Sequence, residues 1–137
     1  MEKTQNNLEV QSGLIVVVDD DAAVRKSLKF SLEVEGFIVR TYTRGEELLS
    51  ESVFPNCRCL VVDQKLPGIS GIELIAKLRD QKISVPAILI TTHPSSVLRK
   101  CATNVGVAII EKPLLNGILL DGIRQIIMHS SPSSLSH

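Results

Sequence analysis

Five side chains able to do ionic chemistry stand where apolar runs end. Asp19 and Asp20 close Leu14-Ile15-Val16-Val17-Val18. Asp63 closes Cys59-Leu60-Val61-Val62, Thr91 follows Pro86-Ala87-Ile88-Leu89-Ile90, and Lys112 follows Val107-Ala108-Ile109-Ile110-Glu111. Three neighbouring carboxylates repel and raise one another's pKa unless a cation intervenes. A hard divalent ion such as Mg²⁺, which prefers carboxylate and carbonyl oxygens, would relieve them. Lys112 and Thr91 could then hold an anion above the metal. Metal, ammonium and hydroxyl together suit phosphoryl transfer, in which positioning and charge neutralisation do most of the work. Asp63 would be the nucleophile, forming an acyl phosphate. Taken singly, each residue has a commoner use: a strand-end Asp caps a helix or is solvated, a Thr makes a turn, and a Lys before Pro lies at the surface. Their placement at the ends of four separate runs is what points to one site.

The elements that must position them can be read from the same pattern. Runs of four or five apolar residues suit strands buried on both faces. Between them lie helical stretches, expected over residues 22–35, 43–50, 71–81, 95–104 and 114–128, with a further strand at Phe37-Ile38-Val39-Arg40-Thr41. Val24, Leu28 and Leu32 form the apolar stripe of the first helix, with Arg25, Lys26 and Lys29 off it. Ile72, Ile75 and Leu78 face inward from the third, and Val97, Cys101 and Val105 from the fourth. Ser70-x-x-Glu73 and Thr43-x-x-Glu46 read as capping boxes. Leu66-Pro67-Gly68 reads as a turn, and residues 51–58 as a loop. Gly36 and Gly106 read as helix stops. Five strands alternating with five helices imply right-handed crossovers and a parallel sheet with helices on both faces. All strand ends then share one edge, where sites form in such folds.

Bulk composition narrows the classes. A chain of 137 residues, 44% hydrophobic, suits one domain with an aliphatic core, since it has one Tyr, three Phe and no Trp. Fifteen basic and fifteen acidic residues cancel, leaving no electrostatic footprint for nucleic acid or an anionic membrane. No apolar run reaches the about 20 residues of a spanning helix, and the polar start lacks a signal peptide's apolar core. A cytoplasmic protein is therefore expected. Residues 1–12 read as a flexible leader, 13–128 as the domain, and 129–137 as a flexible tail. Cys57, Cys59 and Cys101 show no disulfide framework. Cys57-x-Cys59 has no partner pair at metal-ligand spacing, so the thiols read as small hydrophobes.

With these residues set out, the chain resembles the receiver domain of two-component response regulators, of the kind that precedes a helix-turn-helix output domain in nitrogen-fixation or nitrate-response regulators. The matching motifs are Val-Val-Asp19-Asp20-Asp21 with Arg25, Asp63-x-x-x-Pro67-Gly68-x-x-Gly71, Ile90-Thr91 and Glu111-Lys112-Pro113. They cover about residues 14–128. The resemblance implies a doubly wound, flavodoxin-like α/β fold with a five-stranded parallel sheet in the order 2-1-3-4-5. It implies that Asp63 accepts phosphate from a histidine kinase or histidine phosphotransferase docked on the first helix. Asp20, Asp63 and the Lys65 backbone carbonyl would bind Mg²⁺, with Asp19 acting partly through water. Lys112 would pair with the phosphoryl group, Thr91 would move toward it, and the Lys112-Pro113 bond would be cis. The face of the fourth helix, fifth strand and fifth helix would signal to a downstream protein, with a phosphorylation-linked homodimer as one outcome.

One departure stands out. The family's strand-five aromatic is missing: Ile109 holds the position three before the lysine, and Ala108 is an equally fair match. The usual Thr–aromatic coupling therefore cannot operate in its ordinary form, although the phosphorylation chemistry does not need it. No output module is visible, so the chain reads as a stand-alone receiver or as a piece lacking its output domain; its Met1 start and its tails favour the former. Two other readings stay open. A pseudo-receiver would act by protein contact alone. A haloacid-dehalogenase-type phosphatase would use Asp19 as nucleophile and Asp21 as acid/base, leaving Asp63 without a role.

Overall fold

A computed structural model gives the structure of residues 13–51, 56–115 and 117–129. The expected leader, residues 130–137 of the expected tail and Pro55 lie outside these described residues. Strands β1 (Leu14–Val18), β2 (Ile38–Tyr42), β3 (Cys57–Asp63), β4 (Ala87–Thr91) and β5 (Ala108–Glu111) alternate with helices α1 (Ala22–Val34), α2 (Gly45–Leu49), α3 (Gly71–Asp80), α4 (Ser96–Asn104) and α5 (Ile118–His129). The strands are all parallel, in the order β2-β1-β3-β4-β5. This is the doubly wound, flavodoxin-like arrangement.

Strand alternation divides the core in two. Val16, Val18, Leu60, Val62 and Leu89 pack with Leu48, Leu74, Ile75, Leu78 and Ala102 of α2, α3 and α4. Ile15, Val17, Cys59, Val61, Ile88 and Ile90 pack on the other face with Leu32 of α1 and Leu119 and Ile123 of α5. Successive side chains of a strand point to opposite faces, so one uniformly apolar strand feeds both layers. This burial is the main favourable term in folding, at about 25 cal/mol per Å² of apolar surface removed from water. It fixes the strand ends at one edge.

Several expectations shift. β3 starts at Cys57, inside the expected loop, because it takes one extra residue against β1: Leu14 pairs with Cys57 but Ile15 with Cys59. The inward stripe of α4 is Leu98, Ala102 and Val105, not Val97, Cys101 and Val105. Val97 is 69% exposed and Cys101 is exposed. The helix turns the larger Leu98 inward, with the small Ala102 one turn on. In α3, Leu74 joins Ile75 and Leu78 in the core, while Ile72 is half-buried. α5 begins at Ile118, four residues late, since Gly117 has φ +75, which a right-handed helix does not accept. It extends through His129, one residue into the expected tail. Ser70 and Glu73 form the expected capping box. The one expected at Thr43 and Glu46 is displaced by a residue: Glu47 Oε1 accepts from the amides of Thr43 and Arg44 at 2.8 and 3.1 Å.

Candidate functional site

The tip of β1 is built as a turn into α1. Asp19 extends the ladder through its amide, which donates to the Tyr42 carbonyl at 3.0 Å. Its side chain folds back, Oδ1 accepting from the Asp21 amide at 2.9 Å. Arg25, one turn into α1, donates to the Asp19 carbonyl at 2.8 Å. Asp21 itself is the N-cap of α1, accepting from the amides of Ala23 and Val24. One of its carboxylate oxygens is thus engaged at the helix start, the commoner use of an Asp at a strand end.

Asp63 ends β3 and is buried. The chain leaves it through Gln64, whose amide donates to the Ile90 carbonyl and whose carbonyl accepts from Gly71. Gln64 Oε1 also accepts from the Ile72 amide at 2.8 Å. Gly71 lets α3 start directly against this turn: a Cβ there would stand 2.5 Å from the Asp63 carbonyl oxygen. The lysine after β5 reaches back across β4, so that Lys112 Nζ stands 2.8 Å from Asp63 Oδ1. The contact is an ion pair at hydrogen-bonding distance, and among the described residues Oδ1 has no other partner.

Oxygens of Asp19, Asp20 and Asp63 lie within 4.8 Å of one another. Asp19 and Asp63 are buried and Asp20 is exposed. Burial holds the Asp19 carboxyl above the usual carboxylate range; the Asp21 amide opposes this and the charge on Asp63 adds to it. The hydrogen-bonded contact with the Asp63 carboxylate holds the Lys112 ammonium above its usual value; burial opposes this, and the charges of Asp63, Asp19 and Asp20 add to it. Three carboxylates, two of them buried, against a single ammonium make an all-oxygen donor set that fits a hard divalent cation with free positions for water or substrate oxygens.

Thr91 ends β4, buried at 8% exposure and paired with Glu111. Register settles which β5 residue answers to it. Ile109 pairs with Leu89 and packs on the α3–α4 side, the face that Thr91 shares by alternation. Ala108 pairs with Ile88, which belongs to the other layer. Ile109, not Ala108, therefore stands where coupling to Thr91 would run. Lys65 is exposed in the loop after Gln64. The Lys112-Pro113 bond is cis.

The family model for the response regulator receiver domain matches residues 15–124. The chain belongs to that family. Among curated proteins, this receiver is 36% identical over 114 residues to the transcriptional regulatory protein FixJ of Rhizobium meliloti, covering 82% of this chain and 56% of that one. It is 34% identical over 125 residues to FixJ of Bradyrhizobium diazoefficiens, covering 90% and 61%. Its structure is similar to the crystal structure of FixJ-N, with a TM-score of 0.74, 35% identity and 85% and 94% coverage. Against full-length FixJ from B. japonicum the TM-score is 0.80, with 32% identity and 90% and 62% coverage. The chain is thus a receiver of the FixJ/NarL kind, and spans little more than half the length of those curated relatives.

The fold gathers Asp19, Asp20, Asp63 and Lys112 at one place, with Thr91 at the end of the neighbouring strand. Two contributors escaped the sequence. Gln64 gives no pattern to read, since a glutamine after a strand caps a helix only if the chain turns back on itself. Glu46 carries a signal that points elsewhere, to a local cap, whereas its Oε2 accepts from the amide of Ile69 at 3.2 Å. Among the described residues, no helix is long and apolar enough to cross a membrane.

Proposed function

We propose that this receiver accepts a phosphoryl group onto Asp63 from a phosphohistidine of a kinase or phosphotransferase, in a cytoplasmic phosphorelay. One observation carries the proposal: the buried Asp63 carboxylate is paired to a lysine ammonium at 2.8 Å and lies within 4.8 Å of two further carboxylates. An Asp63 oxygen attacks phosphorus, the P–N bond breaks, and the imidazole leaves with the electron pair and takes up a proton. Asp20 and Asp63, with the Lys65 carbonyl, would hold Mg²⁺, and Asp19 would act through water. The ion's contribution is to neutralise charge on the phosphoryl oxygens. Lys112 exchanges its ion pair with Asp63 for one with the transferred group, and the Thr91 hydroxyl gives that group a donor. Burial of Asp63 makes these charges count for more than they would in water. The groove of about 780 Å³ between α1 and the start of α5 reaches Lys112 and Thr92, and gives the donor protein a way to the site. A changed α4–β5 face would then pass the signal to a downstream protein.

Incubation with Mg²⁺ and acetyl phosphate, followed by intact mass, tests this. One added phosphoryl group, absent in Asp63→Asn, is the expected result. The aliphatic Ile109 favours a second reading, a contact module that is never phosphorylated; an unlabelled wild type that also shows no amide shifts with beryllofluoride would establish it.

A further inference from the structure

The loop joining Asp63 to α3 is held firmly at both ends and by a single bond in between. At its start, Gln64 makes backbone bonds to Ile90 and Gly71 and a side-chain bond to Ile72. At its end, the Ser70–Glu73 box fixes the entry to α3. Among the described residues, the backbone of residues 65–69 has one hydrogen bond, from the Ile69 amide to Glu46 Oε2 at 3.2 Å. The carboxylate also packs directly on Gly68: a Cβ there would stand 2.3 Å from Oε2, 3.0 Å from Cδ and 3.0 Å from Oε1. Beside it the relationship is reversed. Gly45 of α2 is the residue without a side chain, and the Ile69 Cδ1 and Cγ1 atoms would be 3.0 Å from a Cβ there. Glu46 is released for this contact because Glu47 has taken over the cap of α2.

We infer that Glu46 is a positioning residue for the cation site: by clamping Gly68 and Ile69 from α2, it sets where the Lys65 carbonyl stands relative to Asp63 and Asp20. The inference rests on the phosphoacceptor proposal, since it assigns the loop a metal-facing carbonyl. The clamp acts through an acceptor oxygen at the end of a side chain of fixed length. Its effect is therefore separable from the mere presence of a negative charge near a cation.

The test is Mg²⁺ titration of the whole chain, followed by backbone amide shifts, for wild type, Glu46→Gln, Glu46→Asp and Glu46→Ala. Glutamine keeps an acceptor at the right reach and removes the charge. Aspartate keeps the charge and falls one methylene short. Residues that orient metal ligands are worth about tenfold or more in affinity. The expected result is a Kd raised about tenfold in Glu46→Ala and Glu46→Asp, and nearly unchanged in Glu46→Gln, with thermal midpoints in the absence of Mg²⁺ close to wild type. Faster amide exchange over residues 65–69 should accompany the weakened variants. The opposite order, with aspartate like wild type and glutamine impaired, would reduce Glu46 to a remote charge and overturn the inference, as would four equal affinities. A wild type that binds no Mg²⁺ would instead defeat the phosphoacceptor proposal itself, and this one with it.

Discussion

Ile109 and Thr91 share one face of the sheet on neighbouring strands, with Leu89 the paired partner of Ile109 and Thr91 two positions beyond it. The side chain that would respond to a displaced Thr91 is thus a half-buried aliphatic one. Rotating an isoleucine moves little volume and no polar group. The ion pair between Arg99 and Glu111, at 3.2 Å, ties α4 to β5 at the same place but is exposed on both sides, and such pairs contribute little. Beryllofluoride with Mg²⁺ is therefore expected to shift amides at Asp63, Thr91 and Lys112 and to leave most of α4 unmoved. Ile109→Tyr supplies a side chain that can swing between the interior and solvent, and should extend the shifts into α4. Equal shifts in α4 for wild type and variant would show that coupling runs by another route.

Asp19 provides a test of what the carboxylate cluster costs the fold. Its pKa is raised, chiefly by burial, so the folded state binds this proton more tightly than the unfolded one. Its contribution to stability is then fully present below the unfolded pKa and is lost as pH rises through the folded value. At neutral pH the ionised Asp19 is a liability that a cation would relieve. Asp19→Asn should raise the thermal midpoint of the Mg²⁺-free protein by a few degrees at pH 7 and by less at pH 4. It should also diminish the stabilisation gained on adding Mg²⁺. Calorimetric scans at the two pH values, with and without the ion, check this; a variant less stable than wild type at pH 7 would refute it.

How much of this could be read from the chain depends on the range of the interaction concerned. β1 and β4 are uniformly apolar and end in residues that water or a ligand must meet, so their buried character and the shared edge follow from pattern alone. That Asp19, Asp20, Asp63, Thr91 and Lys112 lie together at that edge was legible for the same reason. The inward face of α4 was not, because residues 97/101/105 and 98/102/105 are both apolar series at helical spacing, and only packing against β5 and α3 chooses between them. The α2 cap failed similarly: Glu46 and Glu47 are adjacent carboxylates, and which one turns back depends on Gly68 and Ile69, over 20 residues on. Local rules hold where one partner is on offer and fail where the sequence offers two.

The three cysteines should separate cleanly by reactivity. Burial pushes the Cys59 thiol up to about 12 and the Cys57 thiol up to about 11, while Cys101 is exposed on α4. The thiolate is the reacting species, so both β3 thiols are withheld by protonation, and the buried Cys59 by access as well. Iodoacetamide at pH 8 is expected to add one group to the native protein, at Cys101, and three to the protein in denaturant. Native modification at Cys57 or Cys59 would mean that β3, which carries Asp63, opens far more readily than its packing implies.

Gly71 and Gly122 should respond to alanine with opposite signs, although both lie in helices. A Cβ at Gly71 would stand 2.5 Å from the Asp63 carbonyl oxygen, 2.7 Å from Leu89 Cδ1 and 3.0 Å from Gln64 Cα. Two of these three atoms are backbone and cannot turn aside, so α3 must be pushed off the end of β3. The bond from the Gly71 amide to the Gln64 carbonyl is strained in the process. Overpacking of this kind costs about 1–3 kcal/mol, and here it also displaces Asp63, the proposed phosphoacceptor, so Gly71→Ala should lose both stability and phosphate uptake. At Gly122 the close atom is Ile110 Cδ1 at 2.9 Å, the free end of a side chain. It borders a cavity of about 450 Å³ lined also by Ile88, Ala108 and Ile118, so it has room to rotate. Alanine is favoured over glycine in a helix interior by about 1 kcal/mol, and Gly122→Ala should keep most of that gain while leaving acetyl phosphate labelling of Asp63 unchanged. Urea unfolding of the two variants, with labelling measured on each, checks both halves of the contrast. A stable, fully labelled Gly71→Ala would mean that α3 does not brace the site.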